Sequence, residues 1–123
     1  MAREDLTSGS RHVFVCMTGS YGSNDAIRME TDRDTAGNVE PPASEQVPAA
    51  PRWLRITRKG HSWTTEESPD GQMWKQMSTY TLSLPPIVHV GIAVVSHNEG
   101  AATTAVFDNV EIKEINAHAV GSK

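Results

Sequence analysis

The clearest alternation of apolar and polar positions lies in residues 53–71. Leu54 and Ile56 alternate with polar residues, which is the pattern of a half-buried strand. Residues 58–60, Arg-Lys-Gly, then reverse the chain, and residues 63–67 alternate again on the way back. The pattern therefore predicts a β-hairpin with one apolar and one polar face.

A second turn follows directly after this hairpin. In Ser-Pro-Asp-Gly, residues 68–71, proline presets the φ angle of a β-turn and Gly71 accepts a left-handed conformation near its end. A third strand should therefore begin near Met73 and Trp74. The same patterns predict strands at residues 11–18, 25–32, 73–84, 87–97 and 102–115, with turns at 19–24 and 97–100.

The rest of the chain reads as connections. Residues 1–10 predict an N-terminal loop, the proline-rich residues 34–52 a long surface loop, and residues 117–123 a flexible tail. In the last strand the apolar phase changes, and a bulge at Asp108 and Asn109 would reconcile its two halves. No segment of ten residues has a helical period, so the sequence predicts an all-β, antiparallel β-sandwich or jelly roll.

Length and charge narrow the class of protein. At 123 residues the chain predicts one domain over 1–123. The net charge of −4 gives a phosphate backbone no general attraction, so nucleic acid is disfavoured. No apolar run approaches a membrane span, and the polar start is not a signal peptide. The single cysteine, Cys16, lies in an apolar run, which favours a small buried hydrophobic role over a catalytic thiol.

Several of these stretches together resemble a known superfamily. The chain resembles the concanavalin A-like lectin and glucanase jelly rolls, especially bacterial domains of uncharacterised function appended to secreted or surface proteins. The matching stretches are residues 3–6, 9–12, 53–60 (WLRITRKG), 68–74 (SPDGQMW), 88–100 (VHVGIAVVSHNEG) and 107–112 (FDNVEI). The resemblance implies an extracellular or cell-surface location, and it is specific for fold rather than for activity.

The resemblance also implies further strands before residue 3, so the chain looks like the C-terminal part of a larger jelly roll that is truncated at its N-terminus. The strand with Val88, Val90, Ile92 and Val94 then needs a covering layer, because burying each such side chain is worth roughly 1.5 to 3 kcal/mol. A partner that pairs through sheet edges would supply it, and a two-fold dimer is the commonest closed solution. We therefore expect a homo-oligomer.

Glucanases of this superfamily place alternating carboxylates on one strand, and Glu30 and Asp32 alternate in this way. Their motif resembles E-x-D-x-x-E, whereas Thr35 occupies the position of its last carboxylate. A retaining mechanism needs two carboxyl groups roughly 5 Å apart, and the incomplete motif favours a solvated strand end. We expect no catalytic residues, and a vestigial or actual glycosidase remains an alternative.

The metal-ligating residues show no strong pattern. The five histidines have no HxH or HExxH spacing, which disfavours zinc. Asp108 and Asn109 are weak candidates for calcium ligands, because hard oxygen atoms suit that ion. The alternative, which we favour, is that both side chains satisfy backbone donors at the bulge. No cofactor is expected, with calcium left open.

Sugar binding would need an aromatic ring as a stacking platform with polar groups for the hydroxyls. The rings are Trp53, Trp63, Trp74 and Tyr80, although a large aromatic in a small sandwich more often belongs to the core. The predicted carbohydrate-binding residues are Trp63, Trp74, Tyr80, Arg28, His97 and Asn98. The leading hypothesis is a non-catalytic carbohydrate-binding or adhesive module that binds a polysaccharide or glycan. A structural domain that makes protein contacts through its sheet edges is the main alternative.

Overall fold

The structure is a computed structural model that describes residues 1–18, 26–32, 43–46 and 51–115. Within these ranges every regular element is a β-strand and no helix is present, which confirms the all-β class predicted from the sequence. The chain groups into two compact units, Met1–Ile92 and Ala93–Lys123. The expectation of one domain over residues 1–123 stays a prediction.

All the strands of the described residues lie in the first unit. They are β1 (Ala2–Arg3), β2 (His12–Thr18), β3 (Ala26–Asp32), β4 (Ala43–Gln46), β5 (Trp53–Lys59), β6 (Ser62–Ser68), β7 (Lys75–Thr81) and β8 (His89–Val90). They form a five-stranded sheet in the order β4-β3-β2-β1-β8 and a three-stranded sheet in the order β5-β6-β7. Every pairing within these two sheets is antiparallel.

The first sheet begins closer to the N-terminus than the sequence predicts. Residues 1–10 read as a loop, yet Ala2 in β1 pairs with Val13 of β2 on one side and with Val90 of β8 on the other. The Gly91 amide extends this ladder by donating to the Met1 carbonyl at 3.1 Å. A two-residue strand is too short to show a period, so only its pairing partners reveal it.

The second sheet is built on the predicted hairpin, which the structure confirms. Lys59 pairs with Ser62, so the loop is Gly60 and His61, one residue later than the predicted turn at 58–60. Of the two loop residues, only Gly60 has a positive φ, +61°. A positive φ at the first loop residue is the pattern of a type II′ turn, which suits the right-handed twist of the strands. The same alternation places Trp63, Thr65 and Glu67 inside, and all three are buried.

The core takes residues from both sheets. Ala2 and Val13 of the first sheet cluster with Trp63, Leu82 and Leu84, and Ile56, Tyr80 and Val88 pack against this cluster. Such a shared apolar layer makes the first unit sandwich-like. Trp63 is the largest member and is 2% exposed. Its indole Nε1 donates to the Leu82 carbonyl at 3.0 Å, which satisfies the one polar atom of the ring.

Arg58 covers this core residue from its strand. Its guanidinium carbon lies 5.0 Å from the centroid of the Trp63 ring, and the guanidinium donates to the carbonyls of Leu84 at 2.6 Å and Pro85 at 2.7 Å. The guanidinium thus stacks on an aromatic face. Its N–H groups also supply hydrogen bonds to the carbonyls of Leu84 and Pro85, which belong to no strand. Arg58 therefore fixes the chain that leaves β7 against the hairpin.

The inner face also carries a carboxylate. Glu67 is buried, and its Oε2 lies 3.7 Å from Nη1 of Arg52, whose side chain is buried almost as well. A buried charge is tolerated only when an opposite charge or hydrogen bonds compensate it. Arg52 precedes β5 directly, so this contact holds the entry of the chain into the second sheet.

The C-terminal third of the chain differs most from the expectation. Residues 87–97 and 102–115 predict strands, but His89–Val90 is the only strand found after β7 among the described residues. In the second unit, residues 93–115 contain no strand and no buried residue. Apolar alternation shows which face of a strand needs covering, but a strand forms only where a neighbour supplies its hydrogen bonds. The bulge predicted at Asp108 and Asn109 is therefore absent, because a bulge requires two paired strands and residues 93–115 form none. Asn109 instead has a left-handed backbone conformation, with a φ of +52°.

The turn predicted at residues 97–100 is present in the second unit. His97 and Gly100 have φ angles of +57° and +80°, and the Ala101 amide donates to the Asn98 carbonyl at 3.1 Å. In the first unit, the predicted loop at 34–52 contains the short edge strand β4. The predicted turn at 19–24, most of the 34–52 loop and the tail at 117–123 lie outside the described residues.

The burial of Trp63 leads to a prediction about stability. We expect Trp63→Ala to lower the free energy of unfolding by about 3 to 5 kcal/mol, because it removes the largest core side chain and leaves a cavity. Trp53→Ala, the same change at an exposed ring, should cost about 1 kcal/mol or less. Chemical denaturation of both variants measures this. Equal losses would contradict the assignment of Trp63 to the core.

Candidate functional site

Two of the predicted sugar-binding rings lie in the core. Trp63 is buried, and Tyr80, directly opposite it on β7, is half-buried against the core cluster. A buried ring presents no face to a ligand, so Trp63 is not accessible as a stacking platform in this structure. Trp63 occupies an inward position of β6, between outward neighbours, and that inward position is the reason for its burial.

The polar candidates are distributed over different parts of the chain. Arg28 occupies the position of β3 opposite Cys16 of β2, and its side chain lies outside the described features. His97 and Asn98 belong to the turn of the second unit, where the Ser96 hydroxyl donates to the Asn98 carbonyl at 3.0 Å. Arg28 therefore belongs to the first unit, and His97 and Asn98 belong to the second.

Trp74 is the predicted residue that does lie in a cluster. The guanidinium carbon of Arg55 lies 3.8 Å from the centroid of the Trp74 ring, which is a close cation–π contact. Arg55 Nε also donates to Glu66 Oε2 at 2.6 Å, and the strand register places these two residues directly opposite each other. One arginine therefore joins an aromatic ring and a carboxylate on the outer face of the second sheet.

Trp53 completes this cluster from the same face. It lies two positions before Arg55 on β5, so both side chains point away from the core. A Cβ atom built on Gly71 would lie 2.8 Å from Cε2 of the Trp53 ring, so the Gly71 backbone lies against that ring. Trp53 nevertheless remains 37% exposed. We call Trp53, Arg55, Glu66 and Trp74 the aromatic–arginine patch.

The turn after β6 positions both rings of the patch. The Gly71 backbone contacts Trp53, and its carbonyl accepts a hydrogen bond from Trp74 Nε1 at 3.1 Å. Gly71 has a φ of +76°, which glycine adopts without strain. One residue of the predicted Ser-Pro-Asp-Gly turn thus fixes two tryptophans, and the turn itself is confirmed.

Asp70 holds this turn through its carboxylate. Its Oδ1 accepts hydrogen bonds from the amides of Gln72 at 2.8 Å and Met73 at 2.9 Å, and from the Ser68 hydroxyl at 3.0 Å. These donors favour the charged form, so the backbone amide of Met73, then that of Gln72 and the Ser68 hydroxyl hold the pKa of Asp70 below its ordinary value. The turn is therefore preorganised at neutral pH.

A row of hydroxyl groups adjoins the patch. Thr57, Thr64 and Thr79 lie opposite one another across β5, β6 and β7, and the hydroxyls of Thr64 and Thr79 are 3.5 Å apart. Thr57 and Thr64 share the outer face with Arg55 and Glu66 because they lie two positions away on the same strands. The outer face thus combines exposed aromatic surface, one ion pair and hydrogen-bonding hydroxyls.

The sequence held enough information to find two members of the patch that were not predicted. Once the hairpin loop is placed at Gly60 and His61, counting outward pairs Arg55 with Glu66. The register of a two-residue hairpin is therefore the missing signal. The contact between Gly71 and Trp53 depends on the path of the chain after β6, which local sequence does not give.

The carboxylates singled out in the sequence lie in two different parts of the chain, β3 and the second unit. Glu30 and Asp32 occupy alternate positions of β3, opposite Phe14 and His12, and their side chains are outside the described features. Asp108 and Asn109 are exposed in the second unit. Over the ranges that the structure describes, no group of three or more His, Cys, Asp or Glu residues is placed to hold a metal ion. The same ranges contain no helix long and apolar enough to cross a membrane.

Comparison of the chain with protein-family models, with curated proteins and with solved structures found no match.

Gly71 supplies a prediction about how the patch is built. Gly60→Ala and Gly71→Ala both place a side chain at positive φ, which costs about 1 to 2 kcal/mol. Nothing lies near a Cβ at Gly60, whereas at Gly71 it would meet Trp53, so we expect Gly71→Ala to cost a further ~1 to 3 kcal/mol. Adding Trp53→Ala should remove that excess, as a double-mutant cycle by denaturation would show. Equal costs for the two alanine variants would contradict the contact.

Asp70 supplies a prediction about pH. Because its pKa is lower in the folded protein, its contribution to stability is present above the unfolded pKa of about 4 and is lost as pH falls through the folded pKa. Asp70→Asn should therefore flatten the fall of the melting temperature between about pH 5 and pH 2. Glu4 and Asp5 also have lowered pKa values, so some acid dependence should remain. An unchanged acid profile in the variant would contradict this role.

Proposed function

We propose that this protein is a non-catalytic carbohydrate-binding or adhesive module whose sugar site is the aromatic–arginine patch. The observation that carries the proposal is the arrangement of Trp53, which rests on Gly71 and keeps 37% of its surface exposed beside Arg55. The site keeps Trp74 from the set expected from the sequence. It replaces the other predicted residues with outer-face neighbours of Trp74, which are Trp53, Arg55 and Glu66.

The chemistry of the patch suits a pyranose. One face of a sugar ring is a flat array of C–H groups, and the face of an indole carries the negative side of its quadrupole, so the two attract when stacked. Arg55 supplies N–H donors and the Glu66 carboxylate supplies acceptors for the ring hydroxyls. Both groups are partly exposed, with side-chain exposures of 41% and 19%, so a ligand can reach them without burying an unpaired charge.

The patch is also held in place before a ligand arrives. Arg55 is fixed by Glu66 and by the Trp74 ring, Trp74 by the Gly71 carbonyl, and Trp53 by the Gly71 backbone. Ordering a long side chain on binding costs roughly 0.5 to 1.5 kcal/mol, and a preorganised group avoids that cost. A preorganised patch that continues into a row of threonine hydroxyls favours an extended polysaccharide chain over a single sugar.

The same geometry favours binding over hydrolysis. Glycoside hydrolysis by the common routes needs a pair of carboxyl groups on either side of the scissile bond. Within the patch Glu66 is the only carboxylate, and it is paired with Arg55 at 2.6 Å. Glu66 already accepts a hydrogen bond from Arg55 Nε, so the patch offers an acceptor for sugar hydroxyls and no pair of carboxyl groups for hydrolysis.

We further propose that the sandwich is a jelly roll of the concanavalin A-like type. The support is the resemblance at residues 53–60 and 68–74, which form the hairpin and the turn that build the patch, together with the sandwich-like core of the first unit. In a complete jelly roll, residues 88–100 and 107–112 would take part in sheet pairing, which the described ladders include only at His89–Val90.

The proposed function predicts which variants lose binding. A glycan array of plant and microbial polysaccharides would identify a ligand, and calorimetry would then measure its affinity. We expect Trp53→Ala to weaken binding roughly tenfold or more, because the stacking surface is lost. Arg55→Met should weaken it as well. Leu6→Ala, which truncates an exposed apolar side chain in the loop before β2, is the matched control and should bind normally. A flat array, or equal binding by the Trp53 and Leu6 variants, would refute the proposal.

A further inference from the structure

The turn that positions the aromatic–arginine patch contains the only Asp-Gly sequence of the chain, at Asp70 and Gly71. This dipeptide is chemically labile, because the amide nitrogen of the residue after an aspartate can attack the side-chain carboxyl carbon. Glycine presents that nitrogen with the least hindrance, since it has no Cβ atom. Asp70 is exposed, so water reaches its carboxyl group, whereas Ser68 at the start of the turn is buried.

We propose that Asp70 is a modification site, which converts to isoaspartate through a cyclic imide with Gly71 when the turn opens, and that Ser68 keeps this conversion slow in the folded protein. In the first step Gly71 N forms a bond to Cγ of Asp70, and one carboxyl oxygen leaves as water with its own proton and the amide proton. Water then cleaves the imide at the main-chain carbonyl of Asp70, so that the chain runs through the former side chain. One water molecule leaves and one returns, and nothing is oxidised or reduced.

In the folded turn both reacting groups are engaged with other partners. The Gly71 N–H donates to Ser68 Oγ at 2.9 Å, and the Asp70 N–H donates to the same oxygen at 3.2 Å. The Ser68 hydroxyl in turn donates to Asp70 Oδ1 at 3.0 Å. The same Oδ1 accepts from the amides of Gln72 and Met73, so the carboxyl group faces those donors. The imide therefore forms only after these hydrogen bonds break, and the Ser68 hydroxyl takes part in three of them.

The charge state of Asp70 acts in the same direction. The carboxyl oxygen leaves as water only from the protonated group. The backbone amide of Met73, then that of Gln72 and the Ser68 hydroxyl hold the pKa of Asp70 below its ordinary value. The reactive form is therefore scarce at neutral pH as long as the turn is closed.

Conversion of Asp70 would dismantle the aromatic–arginine patch. Isoaspartate adds one carbon atom to the backbone before Gly71 and takes Oδ1 away from the amides that it holds. Gly71 then leaves the position in which its backbone lies against Trp53 and its carbonyl accepts from Trp74 Nε1. Ser68 thus preserves the placement of both rings by protecting the turn from this reaction.

Incubation of the full chain in water labelled with heavy oxygen tests the reaction, because each passage through the imide introduces one labelled oxygen atom. Trypsin cuts after Lys59 and Lys75, and the peptide 60–75 contains Asp70 as its only aspartate, so mass spectrometry of that peptide measures the label. We expect slow uptake in the native protein and uptake roughly tenfold or more faster in denaturing urea, where the turn is open. No label at Asp70 in urea, or equal uptake in the two conditions, overturns the proposal.

Three variants, each verified as folded by circular dichroism, test the role of Ser68 without denaturant. Ser68→Ala should speed label uptake roughly tenfold or more, because it removes three hydrogen bonds of the turn. Ser62→Ala makes the same change at the exposed start of β6 and should leave the rate unchanged. Leu84→Ala weakens the core outside the turn and should speed uptake much less than Ser68→Ala, because the turn opens locally. A rate in Ser68→Ala equal to that of either control variant overturns the role of Ser68.

Discussion

The burial of the Trp63 ring between the two sheets is the interaction on which the rest of the first unit depends. Its ring joins residues of both sheets in one cluster, and its single polar atom is satisfied by the Leu82 carbonyl. Arg58 covers the ring and simultaneously holds the carbonyls of Leu84 and Pro85. An indole at this position would be costly if Nε1 had no acceptor, so the path of residues 82–85 and the burial of Trp63 require each other.

The position of Trp63 also determines what the outer face presents. Because side chains alternate along β6, an inward Trp63 requires that Thr64 and Glu66 point outward. The two-residue hairpin then places Arg55 opposite Glu66, and the turn held by Asp70 brings Trp74 to Arg55. The core and the proposed binding face are thus two consequences of one register. A slip of one residue would exchange them and destroy both.

Local sequence predicted the parts of the fold that local rules control. The hairpin followed from the alternation of Leu54 and Ile56 and from Gly60, and the turn at 68–71 followed from its proline and glycine. The strand β1 and the edge strand β4 were not predicted, because they are two and four residues long and exist only through their partners. Of the strands expected at 87–97 and 102–115, only His89–Val90 formed among the described residues, because the apolar pattern is strong but pairing needs a neighbour that the pattern does not specify.

The different environments of the three tryptophans form the central claim, and indole hydrogen exchange measured by NMR tests it most directly. Trp63 Nε1 is buried and donates to Leu82, Trp74 Nε1 donates to the carbonyl of an outer turn, and Trp53 is exposed. The account predicts that the Trp63 indole proton exchanges only through global unfolding, that Trp74 exchanges faster, and that Trp53 exchanges fastest. A Trp63 proton that exchanges as fast as that of Trp53 would contradict the account.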